Sequence, residues 1–395
     1  MLMRLIGFEY KKIFKRKSTW ISLMGALAVI LLGGAVMCLG EVYVEGDKVY
    51  SQYEYIQMER MAGEKLSGQA LDEKLITQSR KNLNEYNQLE LGKDLGAENY
   101  KEIEKGILPS KLVVRWFESA VGNWAGGDIY QARLEFMKGT WRSEGLSEGE
   151  IGFHQRQNDT ISTPLQYEYN KAYSRFEALQ FTTLMFAAMV VVICVAPIFA
   201  EEYTTRVDAL MLSSRYGRWK IAAAKIITGF TFAIFVSALY CIVSLLEQIW
   251  IYGMGNPNAP IQVMSQFAKS SFPVNIWQMI FALIMCGILS ECMIAAVTMV
   301  CSAKMRSPFN VVIIGMIISV LPMFVGIIPT DIRSVHLLIN ALPGEFGNFE
   351  SVFANQLLNI GGNYFAAYQY VPICYAVLMM VGVFITGKGF IRKQA

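Results

Sequence analysis

The sequence predicts an all-α polytopic membrane protein with six transmembrane helices and both termini in the cytoplasm. Three observations predict this class. Hydrophobic residues make up 54% of the 395 positions, and the mean hydropathy is +0.35, too apolar for an ordinary soluble domain. The apolar residues fall in blocks of about 20, the length of helix that crosses a bilayer. These blocks are 19–40, 178–200, 221–246, 276–300, 308–328 and 370–387. Finally, Lys and Arg are unevenly placed: six lie in 1–18, five in 201–225, two in 301–307 and three in 388–395. The connections 247–275 and 329–369 hold one each, Lys269 and Arg333. Basic residues stay on the cytoplasmic side, so both ends are expected there.

The first block is too long for the apolar core of a cleaved signal peptide, and no small-residue cleavage site follows it. Ahead of it, residues 1–18 set Leu2, Leu5, Ile6, Ile13 and Phe14 among Lys11, Lys12, Lys15, Arg16 and Lys17. That pattern predicts an amphipathic helix lying in the inner interface, its basic side toward anionic headgroups. A plain topogenic charge cluster is compatible with the same residues.

Residues 41–176 carry 17 basic and 22 acidic residues, in a segment too long for its charge to decide its side. They are expected to form a mostly helical extracellular domain. Leu75, Ile76, Leu83, Tyr86 and Leu89 recur at helical steps. Leu112, Val113, Trp116 and Phe117 form a second run, with Leu134 and Phe136 beyond the Gly126-Gly127 break. Thr163-Pro164 reads as N-cap and first helical residue of a helix leading into the second span. Ten of the 19 tyrosines and Trp116, Trp124 and Trp141 lie here. They form either an aromatic surface for an amphipathic ligand or the core of a small helical domain. None of the seven cysteines does, so the domain folds without disulfides, which suits a bacterial cytoplasmic membrane.

The stretch 201–225 is a polar island between two spans. It holds Arg206, Arg215, Arg218, Lys220 and Lys225 against Glu201, Glu202 and Asp208, while Val207, Leu210 and Met211 fall at i, i+3 and i+4. A helix over 203–213 would show one narrow apolar stripe, suited to a groove on another protein. Further on, Pro322 interrupts the fifth block. Residues 329–369 are too apolar for a plain loop, and SVHLLINALPGEF and SVFANQLLNIGG read as short re-entrant-like helices before the sixth span. Inside the fourth block stands Glu291, sharing a helical face with Gly287, Ala295 and Thr298. It marks either a polar point in a translocation path or a packing group bonded to a neighbouring helix.

Several chemistries are unsupported. No phosphate-loop motif occurs, the two histidines His154 and His336 do not form a zinc motif, and there is no nucleophile elbow. No catalytic residue and no metal site is expected.

Phe199, Glu201, Glu202, Thr204-Thr205-Arg206, Leu210-Met211-Leu212-Ser213, Arg215 and Lys225 together resemble the signature of type 2 ABC-transporter permeases. In that family an acidic residue after the second span leads to a small coupling helix, a serine-containing turn and a later Lys. Ser214-Arg215-Tyr216 stands where a proline-bearing turn is usual, and Thr205 where a Gly-Thr pair is commoner. The resemblance implies a permease with no cofactor on this chain. ATP and Mg would sit on two separate ABC ATPase subunits, and a second permease copy or paralogue would complete the path. Membrane lipids are expected partners and nucleic acid is not. Glu201, Glu202, Thr205, Arg206, Val207, Leu210, Met211, Ser213, Arg215 and Lys225 would couple to the ATPase. The acidic, aromatic outer segment inclines the substrate toward an amphipathic peptide or antibiotic, for export or self-immunity. A signalling or force-transmitting subunit that moves without transporting is the alternative.

Overall fold

The computed structural model describes residues 2–44, 47–90, 96–122, 124, 126–205, 217–325 and 332–392. Among the described residues five helices, Lys17–Cys38, Lys171–Thr205, Trp219–Tyr252, Ile276–Lys304 and Ala367–Ile391, are long and apolar enough to cross a membrane. The chain is therefore a mostly helical, multi-pass membrane protein. The fifth expected span is a shorter apolar helix, Pro308–Val325, with Pro322 inside it; the rest of that block, 326–328, lies outside the described residues.

The chain divides into two compact units. The first comprises Met1–Leu31, Leu179–Ser244 and Ala282–Ala395. It opens with α1 (Leu2–Lys15), followed by most of α2 (Lys17–Ala35). Leu23, Ala26 and Ile30 of α2 join Val191, Val195, Phe232, Val236, Ala295 and Met299 in one buried cluster, with Ile13 of α1 at its edge. Small residues let the helices approach: a Cβ on Gly229 would meet the Met299 sulfur at 2.5 Å, and one on Gly315 would meet Val192 at 2.5 Å.

The second unit comprises Leu32–Ala178 and Leu245–Phe281. Its helices are α3 (Gln52–Leu66), α4 (Glu73–Glu90), α5 (Gly96–Val121), α6 (Ile129–Ser143) and α7 (Glu148–Asn158). Capping residues start α3, α4, α6 and α7. Ser51 accepts from Glu54 N, Asp72 from Leu75 N, and Asp128 from Tyr130 N and Gln131 N. Ser147 and Glu150 form a reciprocal capping box at α7. Of the periodic residues of α4 and α5, Tyr86, Leu112 and Phe117 are buried and Ile76, Val113 and Trp116 fully so. Trp116 and Trp141 are core, and so are Tyr50, Tyr86, Tyr167, Tyr169 and Tyr173. These rings build the interior instead of a ligand surface.

The segment 253–275 belongs to this unit although it has almost no regular structure. Its carbonyls need donors, and side chains of the helices supply them. Trp116 Nε1 donates to Gln262 O at 2.8 Å. Arg133 donates to Ala268 O at 2.6 Å, Ser270 O at 2.8 Å and Asn158 Oδ1 at 2.6 Å. Burial pulls the Arg133 guanidinium down to about 10, so it stays charged at neutral pH. His154 Nδ1 meets Ser271 Oγ at 2.8 Å, its ring stacked on Trp141.

The mostly helical fold also holds a short hairpin, β1 (Glu41–Val44) paired antiparallel with β2 (Asp47–Ser51). Two sequence expectations need correction. Thr163-Pro164 starts no helix, because the chain beyond it runs extended against residues 68–71: Gly68 N donates to Tyr167 O, Leu71 N to Leu165 O and Tyr167 N to Gln69 O. The helix leading into the second span, α8, begins at Lys171. In the first unit, SVFANQLLNIGG is helical only at Ser351 and Val352, the end of a short helix Phe349–Val352. Leu358–Ile360 and Asn363–Phe365 then form a hairpin, β3 and β4, turned by Gly361 and Gly362 at φ of +60° and +87°. SVHLLINALPGEF forms a helix over Arg333–Asn340.

Gly255 closes the turn after the third apolar helix at a φ of +59°, and a Cβ there would lie 2.2 Å from the Tyr169 carbonyl oxygen. Both the backbone conformation and the contact exclude a side chain. Gly255→Ala is expected to destabilise the second unit by about 1–3 kcal/mol or more. Limited proteolysis of the detergent-purified protein should show earlier cleavage within that unit.

Candidate functional site

Of the residues singled out between 199 and 225, Phe199, Glu202 and Lys225 come together with the N-terminal helix in a buried ion cluster, with Glu201 at its rim. The second apolar helix breaks at Ala196: Pro197 cannot donate a backbone hydrogen bond, and a new helix, α9 (Pro197–Thr205), starts there. A serine from another helix closes the break. Ser302, on α11 (Ile276–Lys304), donates to Ala196 O at 2.6 Å and accepts from Phe199 N and Ala200 N, each at 3.1 Å. It thereby satisfies two of the amides that a helix start leaves open. Tyr203 OH reaches Ala303 O at 3.0 Å, and Thr204 Oγ1 reaches Arg306 O at 2.9 Å.

Held this way, α9 presents Glu202 to Lys225 of α10 (Gly217–Tyr252). The Lys225 ammonium is 2.6 Å from Glu202 Oε1 and 3.1 Å from Glu9 Oε2 of α1, and donates to Ile198 O at 2.7 Å. It also lies 5.6 Å from the centre of the Phe199 ring. Its three donors are thus all used. Lys12 of α1 completes the group, 3.3 Å from Glu9 Oε1 and 3.2 Å from Glu202 Oε1. The Lys225 side chain is 1% exposed and those of Glu9 and Glu202 are 6% and 7%. Two cations face two carboxylates, so the cluster is neutral. At the rim Arg16 pairs with Glu201, and Thr205 Oγ1 bonds back to Glu201 O.

Three of the residues in this cluster escaped sequence reasoning: Glu9, Lys12 and Ser302. Glu9 carried a signal. It lies four residues after Leu5 and four before Ile13, on the apolar face of α1, where an acid is out of place without a partner. Arg206, Val207, Leu210, Met211, Ser213 and Arg215 lie outside the described residues, as does most of the expected coupling helix 203–213.

Glu291 sits in α11 far from both ends, fully buried, and neither carboxyl oxygen has a hydrogen-bond partner. On its helical face Gly287 packs against Leu184 and Gln180, and Ala295 and Thr298 are buried. Gln180 donates to Cys241 Sγ at 3.6 Å while its own Oε1 is unpartnered, as is Ser244 Oγ. The first unit therefore holds unsatisfied polar atoms at membrane depth, whereas at the Lys225 cluster the ammonium is fully bonded and only Glu202 Oε2 lacks a partner among the four ion-pair side chains.

No protein-family model, curated protein or solved structure matches this chain.

Lys225→Met would leave the Glu9 and Glu202 carboxylates buried with only Lys12 between them. The expected loss is about 3–5 kcal/mol, read as a lower melting temperature in detergent. Adding Glu202→Gln should recover part of it; no recovery would mean that packing of the lysine stem dominates. Glu291→Gln keeps the shape of a group that makes no hydrogen bond and removes its capacity for charge. Its melting temperature should equal or exceed that of the parent, and a clear drop would show that the carboxyl is paired in the membrane.

Proposed function

We propose that this chain is the permease subunit of an ABC exporter, with six spans and both termini cytoplasmic in a bacterial plasma membrane. It would couple ATP hydrolysis on two separate ATPase subunits to movement of substrate, beside a second permease copy or paralogue. The observation that best supports this reading is the Glu9–Lys12–Glu202–Lys225 cluster. It joins the N-terminal amphipathic helix to both flanks of the polar island at its roots. A push delivered to the island by an ATPase would be carried into α1, α9 and α10 together, because a neutral buried cluster of this kind resists being pulled apart. Ser302 adds α11 to the same joint.

The substrate proposal, a cationic amphipathic peptide or antibiotic, rests on the acidic excess of residues 41–176. The aromatic side chains lend it little support, since Trp116, Trp141 and five of the ten tyrosines are buried.

The test lies in the island itself. Val207, Leu210 and Met211 form the stripe that would enter the ATPase groove, and burial of each large apolar side chain is worth roughly 1.5–3 kcal/mol. Leu210→Asp is expected to abolish copurification of a phosphate-loop ATPase with the tagged chain, and with it ATP-dependent activity. Arg215→Ala, at the rim, should weaken association only slightly, by about 0.2–1 kcal/mol. A Leu210→Asp complex that remains fully coupled would refute the assignment.

A further inference from the structure

The second unit contains two neighbouring cavities, of about 200 and 430 Å³, that share Glu59, Arg115, Lys171 and Arg175 among their lining residues. We propose that the smaller is a headgroup site, taking the phosphate of a membrane phospholipid. Its charge is unbalanced. Glu59, with a side chain 4% exposed, accepts from both Arg115 and Lys171, each at 3.2 Å. One carboxylate therefore serves two cations, and among the described residues no carboxylate pairs with Arg175. Arg175 stands one turn after Lys171 on the same helix face. Its guanidinium carbon lies 6.0 Å from the centre of the Tyr252 ring, and its buried Nε–H has no acceptor. Three cations against one carboxylate leave the smaller cavity two positive charges in excess. The larger cavity gains Glu168 and is closer to neutral.

Position selects the source of the anion. Met37 lies at the end of the first apolar helix, Lys171 and Arg175 in the opening turns of the second, and Tyr252 at the end of the third. Trp250, 84% exposed two residues earlier, has the placement of an interfacial anchor. The cavity thus lies at the depth where apolar helices end and lipid phosphates begin, in the setting where basic pockets recognise headgroups. At about 200 Å³ it holds the volume of several waters, at ~30 Å³ each, enough for a phosphate and part of its glycerol. Arginine suits the role through its planar pair of donors, and Met37, Ile56 and Tyr252 give the site an apolar wall.

The experiment is a native mass-spectrometric titration of the full chain in detergent. Dioleoyl phosphatidylglycerol is compared with dioleoylglycerol, which has the same tails and no phosphate, and with inorganic phosphate. The expected result is a saturable phosphatidylglycerol adduct, little dioleoylglycerol adduct, and about tenfold weaker lipid binding in Arg175→Gln, the loss of one charge-assisted contact. Lys81→Gln, a surface change elsewhere in the unit, should bind as the parent does. Arg115 is half exposed, so Arg115→Gln provides a second variant that folds even if Arg175→Gln does not, and should also bind more weakly. Hydrogen exchange should show new protection over 171–175 on lipid addition. Equal binding of dioleoylglycerol, parent-like lipid binding in a folded Gln variant, or saturation by inorganic phosphate without displacement by the lipid would each overturn the assignment.

Discussion

A lysine ammonium buried in a membrane protein is tolerable only if its charge and all three of its protons are accounted for. Lys225 meets that condition with two carboxylates, Glu9 and Glu202, and the Ile198 carbonyl. Much of the first unit follows from it. The N-terminal helix must dock so that Glu9 reaches inward, and the second apolar helix must break at Pro197 so that Glu202 turns toward Lys225. The break in turn opens backbone amides, which Ser302 closes from a fourth helix. One buried cation thereby fixes the relative placement of four elements that lie far apart along the chain.

The two polar centres of that unit differ in how they are balanced. Around Lys225 the charges cancel and each proton of the ammonium finds an acceptor, with Glu202 Oε2 left over. Around Glu291, Gln180 and Ser244, oxygens lie buried with nothing bonded to them. The first arrangement holds parts together; the second leaves a place in the bundle where rearrangement forfeits few hydrogen bonds. A rigid joint near one end of the helices and an unsatisfied centre midway along them is a division of labour that a moving membrane protein can use.

Reading the sequence alone succeeded where periodicity is local and strong. The α4 residues Ile76 and Tyr86, the α5 run around Trp116 and the apolar blocks of the long helices all declare themselves within one or two turns. Glu291 was legible as inward-facing because a carboxylate cannot face lipid cheaply. What escaped depends on partners distant in the chain. Thr163-Pro164 has the chemistry of a helix start, but residues 165–167 find backbone partners at 68–71, and tertiary pairing overrides the local signal. Lys225 was recognised by its neighbours in sequence, whereas Glu9 was not, since nothing near it reveals a cation some 216 positions away. The aromatic richness of residues 41–176 was ambiguous for a related reason: composition does not distinguish a core from a surface.

The discontinuity of the second unit bears on how the protein is made. Arg133, His154 and Trp116 are synthesised more than a hundred residues before the carbonyls and hydroxyl they bind at 262–271. While the ribosome is still producing the intervening apolar helices, the earlier portion has an uncovered interior and a guanidinium without two of its three acceptors. Completion of this unit is therefore coupled to insertion of two later membrane helices, and a stall between them would leave a half-built domain for quality-control proteases to find.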